Sequence, residues 1–435
     1  MDLKAQLSQK SMNTYQWCVV GLCILLNIVD GYDVMVMAFT STSVSADWQL
    51  TASMLGILLS IGFIGMALGS FLIAPQADRI GRRNLILICL CICGTGMLLS
   101  TLTQNAYQLA ACRLITGLGI GGILTNASVV ANEFSSQRWK SLSVSLLSMG
   151  YAIGAVIGGM VASHLIGSHG WRSVFLFGGI LTVSVFVICL VVLPESIEYL
   201  VVKQPKNALN KINQIAEKIG LSRLNEIPLI STNQQKTSVK KLFSDRLAVQ
   251  TISIWVSFFT VMAGFYFILS WTPKILAMAG MSMEQGVNLG IFLNIGGILG
   301  AILMGSISSR FKIHKILALF MGITALSILL FVSFAQVYSY AVWIGVLVGM
   351  LANGCVAGLY ALSTVTYSTE IRATGVGFAI SLGRIGAILA PLGAGYFLDM
   401  GISPLHLYLF AALLFFVSFI MIIISYSNYK KLNHS

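Results

Sequence analysis

Two carboxylates, Asp30 and Asp33, lie three residues apart in NIVDGYDVMVM, inside a stretch that is otherwise apolar from Trp17 to Phe39. Spaced at i and i+3, they share one face of a helix. An ionised carboxylate in hydrocarbon costs at least about 2.5 kcal/mol on insertion scales, so two of them there require a reason other than stability. Two cations, Arg113 and Arg384, lie in apolar runs of the same kind. The chemistry open to this set is proton transfer and anion binding. Burial favours a neutral carboxyl, and a nearby guanidinium favours the carboxylate. An arginine that is alternately free and engaged by an anion therefore has the means to couple proton uptake to anion binding. The plain alternative is that the charges only neutralise one another, although such buried pairs are often no better than apolar packing. Gly31, between the carboxylates, lets a neighbour or a ligand approach the backbone closely.

Such residues need helices in a membrane to hold them. Of 435 residues, 57% are hydrophobic and 9% charged, against about 25% charged in soluble domains; a water-soluble protein is excluded. A crossing helix takes about 20 apolar residues. Runs of that length are expected at 17–39, 52–75, 84–103, 107–131, 142–166 and 173–193, and again at 247–270, 286–308, 314–335, 338–362, 374–397 and 404–427. Six spans, a polar stretch and six spans point to an all-α membrane protein built as an internal repeat. The expected division is a bundle over 1–193, a linker over 194–246 and a second bundle over 247–435. Within the linker, NALNKINQIAEKIG spaces Ala208, Ile212, Ile215 and Ile219 as one apolar helix face.

Loop charges predict the orientation. With both termini cytoplasmic, the outer loops hold only Arg172 and Lys274 among the lysines and arginines, and the rest of the loop cations fall inside. Among the 14 acidic residues, only Asp30 and Asp33 lie well within a span. At about 1.5 Å rise per residue, Asp30 is about 20 Å from the inner end of span one. Arg113 is about 9 Å from the outer end of span four, in a core about 30 Å thick. The two reach similar depths from opposite directions, and Arg384 falls near the midplane.

The excess of 26 basic over 14 acidic residues is then a matter of topology, and no nucleic-acid partner is expected. The eight cysteines all fall in apolar runs without metal-site spacing; neither a disulfide nor a metal nor any other cofactor is expected. The first apolar run is too long for a signal-peptide core and is read as a retained helix. Nucleophile, base and orienting group do not recur together in the spans, and no phosphate-binding loop occurs, so an enzyme is not expected.

GSFLIAPQADRIGRRNLIL, from Gly69, contains a DRxGRR core that resembles the loop between spans two and three of the major facilitator superfamily, with Ala74 where glycine is usual. Gly305 to Phe311 is similar to its degraded second copy, with Ser309 in place of the aspartate. RLITGLGIGG from Arg113 resembles the superfamily's span-four pattern, and LPES at 193–196 closes span six as in many members. DGYD and STEIRATGVGFAISLGRIGAILAP, from Ser368, look like the aromatic acid:proton symporter family. The resemblance implies transport by alternating access, with Asp30, Asp33, Asp78, Arg113, Glu133, Arg372 and Arg384 needed for it. His314 falls where a family histidine is expected.

From these features the expectation is a symporter that imports a small organic acid, aromatic by the resemblance, with protons, a monomer in the inner membrane. Asp30, Asp33 and Arg113 are assigned to proton coupling, and Arg384, with Arg113 as the rival, to the substrate carboxylate. The surface charges Asp78, Arg79, Arg82 and Arg83, with Glu133, Arg138 and Arg372, are assigned to gating. A substrate ring has Phe258, Phe259, Tyr266, Phe267 and Tyr360 as candidate partners, and ring hydroxyls have Asn294 and Asn353. GYAIGAVIGGM from Gly150 reads as a close helix-packing face; Ala155, where drug antiporters usually have proline, counts against efflux. A non-aromatic carboxylate, an efflux antiporter and a non-transporting acid sensor stay open.

Overall fold

The computed structural model describes residues 12–221, 223–227, 242–244, 247–308 and 310–434; the side chains of 141, 369, 370, 373 and 430–434 are outside the description. Lys4, Lys10, Lys236, Lys240, Lys241, Arg246 and Ser309, and the side chains of Lys430 and Lys431, all used in the sequence reading, lie outside the described residues.

Among the described residues every regular element is a helix, and twelve are long and apolar enough to span a membrane. They are Thr14–Trp48, Ala52–Ile80, Arg82–Ser100, Ala106–Phe134, Leu142–His169, Trp171–Val192, Ala248–Met278, Met283–Ser308, Ile313–Phe334, Tyr338–Thr366, Thr374–Asp399 and Pro404–Tyr429. The largest departure from expectation is span one, which continues nine residues past Phe39 to Trp48. Hydropathy falls there because of Thr40, Ser41, Ser43 and Ser45. However, the Thr40 hydroxyl donates to the Val36 carbonyl at 2.7 Å and the Ser41 hydroxyl to the Ala38 carbonyl at 2.6 Å. Polar groups satisfied within their own helix do not end it.

After span six, Ser196 caps a short helix, Ile197–Lys203, by accepting from the Tyr199 amide at 3.1 Å. The expected amphipathic helix follows at Ala208–Ile219 and buries Ala208, Ile212, Ile215 and Ile219. It ends where Gly220 takes a left-handed backbone, φ 75°.

The described chain groups into two compact units. One holds the chain up to Val34, Ile64–Gly158 and the chain onward from Arg172 into the polar stretch; the other holds Met35–Phe63, Gly159–Trp171 and the last six spans. Within the first unit, spans one and five touch backbone to backbone. A Cβ at Gly31 would run into the carbonyl oxygen of Tyr151, and one at Gly154 into that of Ile28. The glycines of GYAIGAVIGGM therefore do the packing expected of them, and Gly31 admits a helix rather than a ligand. That contact fixes the rotation of span one and, with it, the direction of the two aspartates.

Candidate functional site

Asp30 and Asp33 are each 1% exposed. Arg113 reaches Asp33 from span four and closes on it with both terminal nitrogens: Nη1 donates to Oδ1 at 2.6 Å and Nη2 to Oδ2 at 3.2 Å. Nη2 also donates to the Asp33 backbone carbonyl at 2.8 Å. The pair is buried, with 3% of the arginine and 2% of the aspartate side chain exposed. Parallel donation by a planar guanidinium is the strong form of an ion pair, and this one is shielded from water and salt. Tyr32, between the aspartates, donates its hydroxyl to the Val174 carbonyl at 2.7 Å and so ties span one to span six.

Arg384 is different. It is half-buried, ten residues into span eleven, and among the described residues it makes neither a hydrogen bond nor an ion pair. It lies within electrostatic reach of the Tyr360 hydroxyl. The Tyr360 ring meets Phe258 edge to face at 5.3 Å, and Gly383, the residue before Arg384, lies against Met262 and Phe258. Of the aromatic candidates, Phe258 and Tyr360 are thus brought beside Arg384. Tyr266 instead packs on Phe63 at 4.7 Å, and Phe267 on Tyr408 at 5.5 Å. The asparagines serve helices: Asn294 donates to Gly290 in its own span at 2.9 Å, and Asn353 to Gly297 across spans ten and eight at 2.7 Å. His314 is buried in the first turn of span nine between Tyr426 and Tyr429, its ring stacked on the latter at 5.1 Å.

The DRxGRR turn is clamped by carboxylates. Gly81 takes φ 95°, where a side chain is strained, and a Cβ there would collide with the Glu195 carboxylate. Glu195 accepts from the Arg83 amide at 3.0 Å, while Arg83 donates through Nε to the Leu193 carbonyl at 2.8 Å and through Nη2 to the Leu190 carbonyl at 2.6 Å. Arg82 pairs with Glu133 at the end of span four and donates to Ser196 Oγ at 3.0 Å. The Ser196 hydroxyl in turn donates to Glu133 Oε2 at 2.7 Å. Asp78 and Arg79 are exposed on the preceding helical turn. Arg138 is exposed over the Trp139 ring at 5.4 Å, apart from this cluster. Arg372 donates through Nε to the Tyr367 carbonyl at 3.2 Å in the other unit.

Three partners escaped the sequence reading. Glu195 and Ser196 belong to the quoted LPES motif, but their partners Glu133, Arg83 and Arg82 lie 63, 112 and 114 residues away. Asp399 is the last residue of span eleven, two residues past that span's expected end. Its Oδ1 accepts from the Ala52 amide at 2.9 Å and its Oδ2 from the Ser53 amide at 2.8 Å. It therefore caps the start of span two, where amides lack helical partners. Thr51 takes the Met54 amide at 3.2 Å, and Asp399 takes the two amides before it, a pairing across 347 residues that carries no signal in the sequence.

Residues 22–391 match the profile described as Major Facilitator Superfamily. The chain belongs to the Major Facilitator Superfamily. Within that superfamily it is 32% identical over 409 residues to the 4-hydroxybenzoate transporter PcaK of Pseudomonas aeruginosa, covering 92% of this chain and 90% of that one. It is 30% identical over 406 residues to a gallate transporter of Pseudomonas putida, covering 93% and 90%. These relatives bear out its place among the superfamily's aromatic acid permeases, a family of transporters and not of enzymes. Among solved structures, a D-xylose-proton symporter superposes with a TM-score of 0.74 at 16% identity, over 94% of this chain and 97% of that one; this likeness supports the fold. This superfamily member is a multi-pass membrane protein with twelve apolar helices.

Proposed function

We propose that the protein imports a small aromatic carboxylic acid together with a proton, and that Arg384 holds the carboxylate. The observation that carries this is the contrast between a buried arginine already engaged by Asp33 and a half-buried arginine with no acceptor among the described residues. A half-buried guanidinium without an acceptor has its donors available, and its fork matches a carboxylate. Tyr360 beside it, 38% exposed and backed by the buried Phe258 ring, offers a ring to an aromatic body. Identities of 30–32% to transporters of hydroxylated benzoates support the substrate class.

In this reading Asp30 and Asp33 carry the proton. Protonation of Asp33 removes the charge that holds Arg113, so the pair opens and closes with proton uptake and release. The cluster of Arg82, Arg83, Glu133 and Glu195 holds one conformation and breaks in the other, with Asp78, Arg79, Arg138 and Arg372 acting at the same step. The two bundles, 1–193 and 247–435, are joined by the linker 194–246. The loop charges favour termini on the cytoplasmic side of the inner membrane.

The test is uptake into proteoliposomes over a panel of aromatic and aliphatic acids, with 4-hydroxybenzoate first. A pH gradient should drive accumulation, and Asp30→Asn or Asp33→Asn should abolish it. If one proton accompanies one monoanion, no net charge moves and membrane potential alone does little, against about 2.3 kcal/mol per uncompensated charge per 100 mV. Accumulation driven equally by potential at uniform pH would exclude that stoichiometry. Binding without accumulation would make the protein a sensor.

A further inference from the structure

The turn between spans eight and nine carries Arg310, Lys312 and Lys315, all exposed. No aspartate or glutamate occurs anywhere in 285–369, and none of the three makes an ion pair among the described residues. Its counterpart in the first half is the DRxGRR turn, where Arg82 and Arg83 are taken up by Glu133, Glu195 and backbone carbonyls. The second turn keeps its cations, while Ser309 stands where the first has Asp78. The three cations line an open cleft of about 350 Å³ with Phe311, Ile316 and Leu319. Span nine starts at this cleft without a side-chain cap at Lys312, so its first amides also face it with positive charge. From Lys315 the same helix face runs on through Leu319, Ile323 and Leu326, spaced at four, four and three residues. Leu319 is 59% and Leu326 62% exposed.

A solvated loop explains the cations alone. Topology places cations at the inner end of a span and the bilayer an apolar stripe along it, and the two meet here at one cleft. An amphiphile with an anionic head and a hydrocarbon chain matches both parts. We propose that this face is a site for one anionic phospholipid, its phosphate among Arg310, Lys312 and Lys315 and an acyl chain along Leu319, Ile323 and Leu326. The site is separate from the transport residues, and occupancy steadies the turn that joins spans eight and nine.

Native mass spectrometry of the purified full-length protein tests this. Phosphatidylglycerol should be retained as a single adduct at least tenfold more tightly than phosphatidylcholine of the same chains. The triple variant Arg310→Gln, Lys312→Gln, Lys315→Gln should lose that preference. Leu319→Ser with Leu326→Ser should weaken retention of both lipids while leaving uptake measurable, which shows the helix intact. Inorganic phosphate at millimolar concentration should not displace the lipid. Equal retention of phosphatidylglycerol by wild type and the triple variant would overturn the proposal. So would displacement by inorganic phosphate at the same concentration as by lipid, since that marks a free-anion site. These results are independent of whether Arg384 binds the substrate.

Discussion

Arg113 and Arg384 each interrupt an apolar helix with a permanent charge, yet they are housed in opposite ways. Arg113 spends both terminal nitrogens on Asp33 and is 2% exposed. Arg384 is half-buried beside Tyr360 and meets no acceptor among the described residues. A guanidinium whose two terminal nitrogens are engaged can respond to protonation of its partner, and Arg113 has only its buried Nε left over. An unsaturated one has its donors waiting. The same contrast recurs at the two related turns, where Arg82 is neutralised by Glu133 and Lys312 is not. A charge whose partner is built into the fold is already satisfied within it, whereas one without a partner among the described residues is left able to meet a ligand.

The largest expected effect separates the two arginines by stability. Removing one partner of a buried pair costs about 3–5 kcal/mol, so Arg113→Ala should lower the unfolding midpoint strongly. Arg384→Ala should change stability by only about 0.5 kcal/mol, since it breaks no internal bond. Thermal or denaturant unfolding in detergent measures both. Equal losses would break the comparison.

The span-one aspartates, the arginines in spans four and eleven and the DRxGRR turn were all legible in the sequence. Charge in an apolar run is conspicuous, and depth arithmetic set the aspartates and Arg113 at similar levels. The register of span one was not legible, because it depends on Gly31 meeting the Tyr151 carbonyl in span five. Nor could hydropathy follow span one past Phe39, since Thr40 and Ser41 hide their polarity in their own helix. The depth arithmetic put Arg113, and not Arg384, with the aspartates, but the two-nitrogen clasp on Asp33 depends on side-chain geometry that no sequence pattern carries.

A smaller effect is expected at the turns. Arg82→Gln removes a partly buried, charge-assisted pair and should cost about 1–2 kcal/mol, with slower turnover. Lys312→Gln should fall within about 0.5 kcal/mol. Asp78→Asn should slow transport while equilibrium affinity holds; lost affinity with normal turnover would move Asp78 out of the gate.

The smallest effect concerns Asp399. A helix cap is worth about 1 kcal/mol, which corresponds to about fivefold in local opening. Hydrogen exchange at the Ala52 and Ser53 amides should therefore quicken by about that factor in Asp399→Ala, and less in Asp399→Asn, which keeps one acceptor. Unchanged exchange would show that the cap does not hold span two.

Arg384 is the residue on which the substrate assignment rests. Isothermal titration of the best-accumulated acid into purified wild type, Arg384→Lys and Arg384→Ala tests it most directly. A charge-assisted hydrogen bond contributes about 1.5–3 kcal/mol, and lysine keeps the charge without the fork. Affinity should fall in that order, by at least tenfold for alanine, with the protein still folded. Unchanged affinity in Arg384→Ala together with lost affinity in Arg113→Ala would contradict the assignment and give the anion to Arg113.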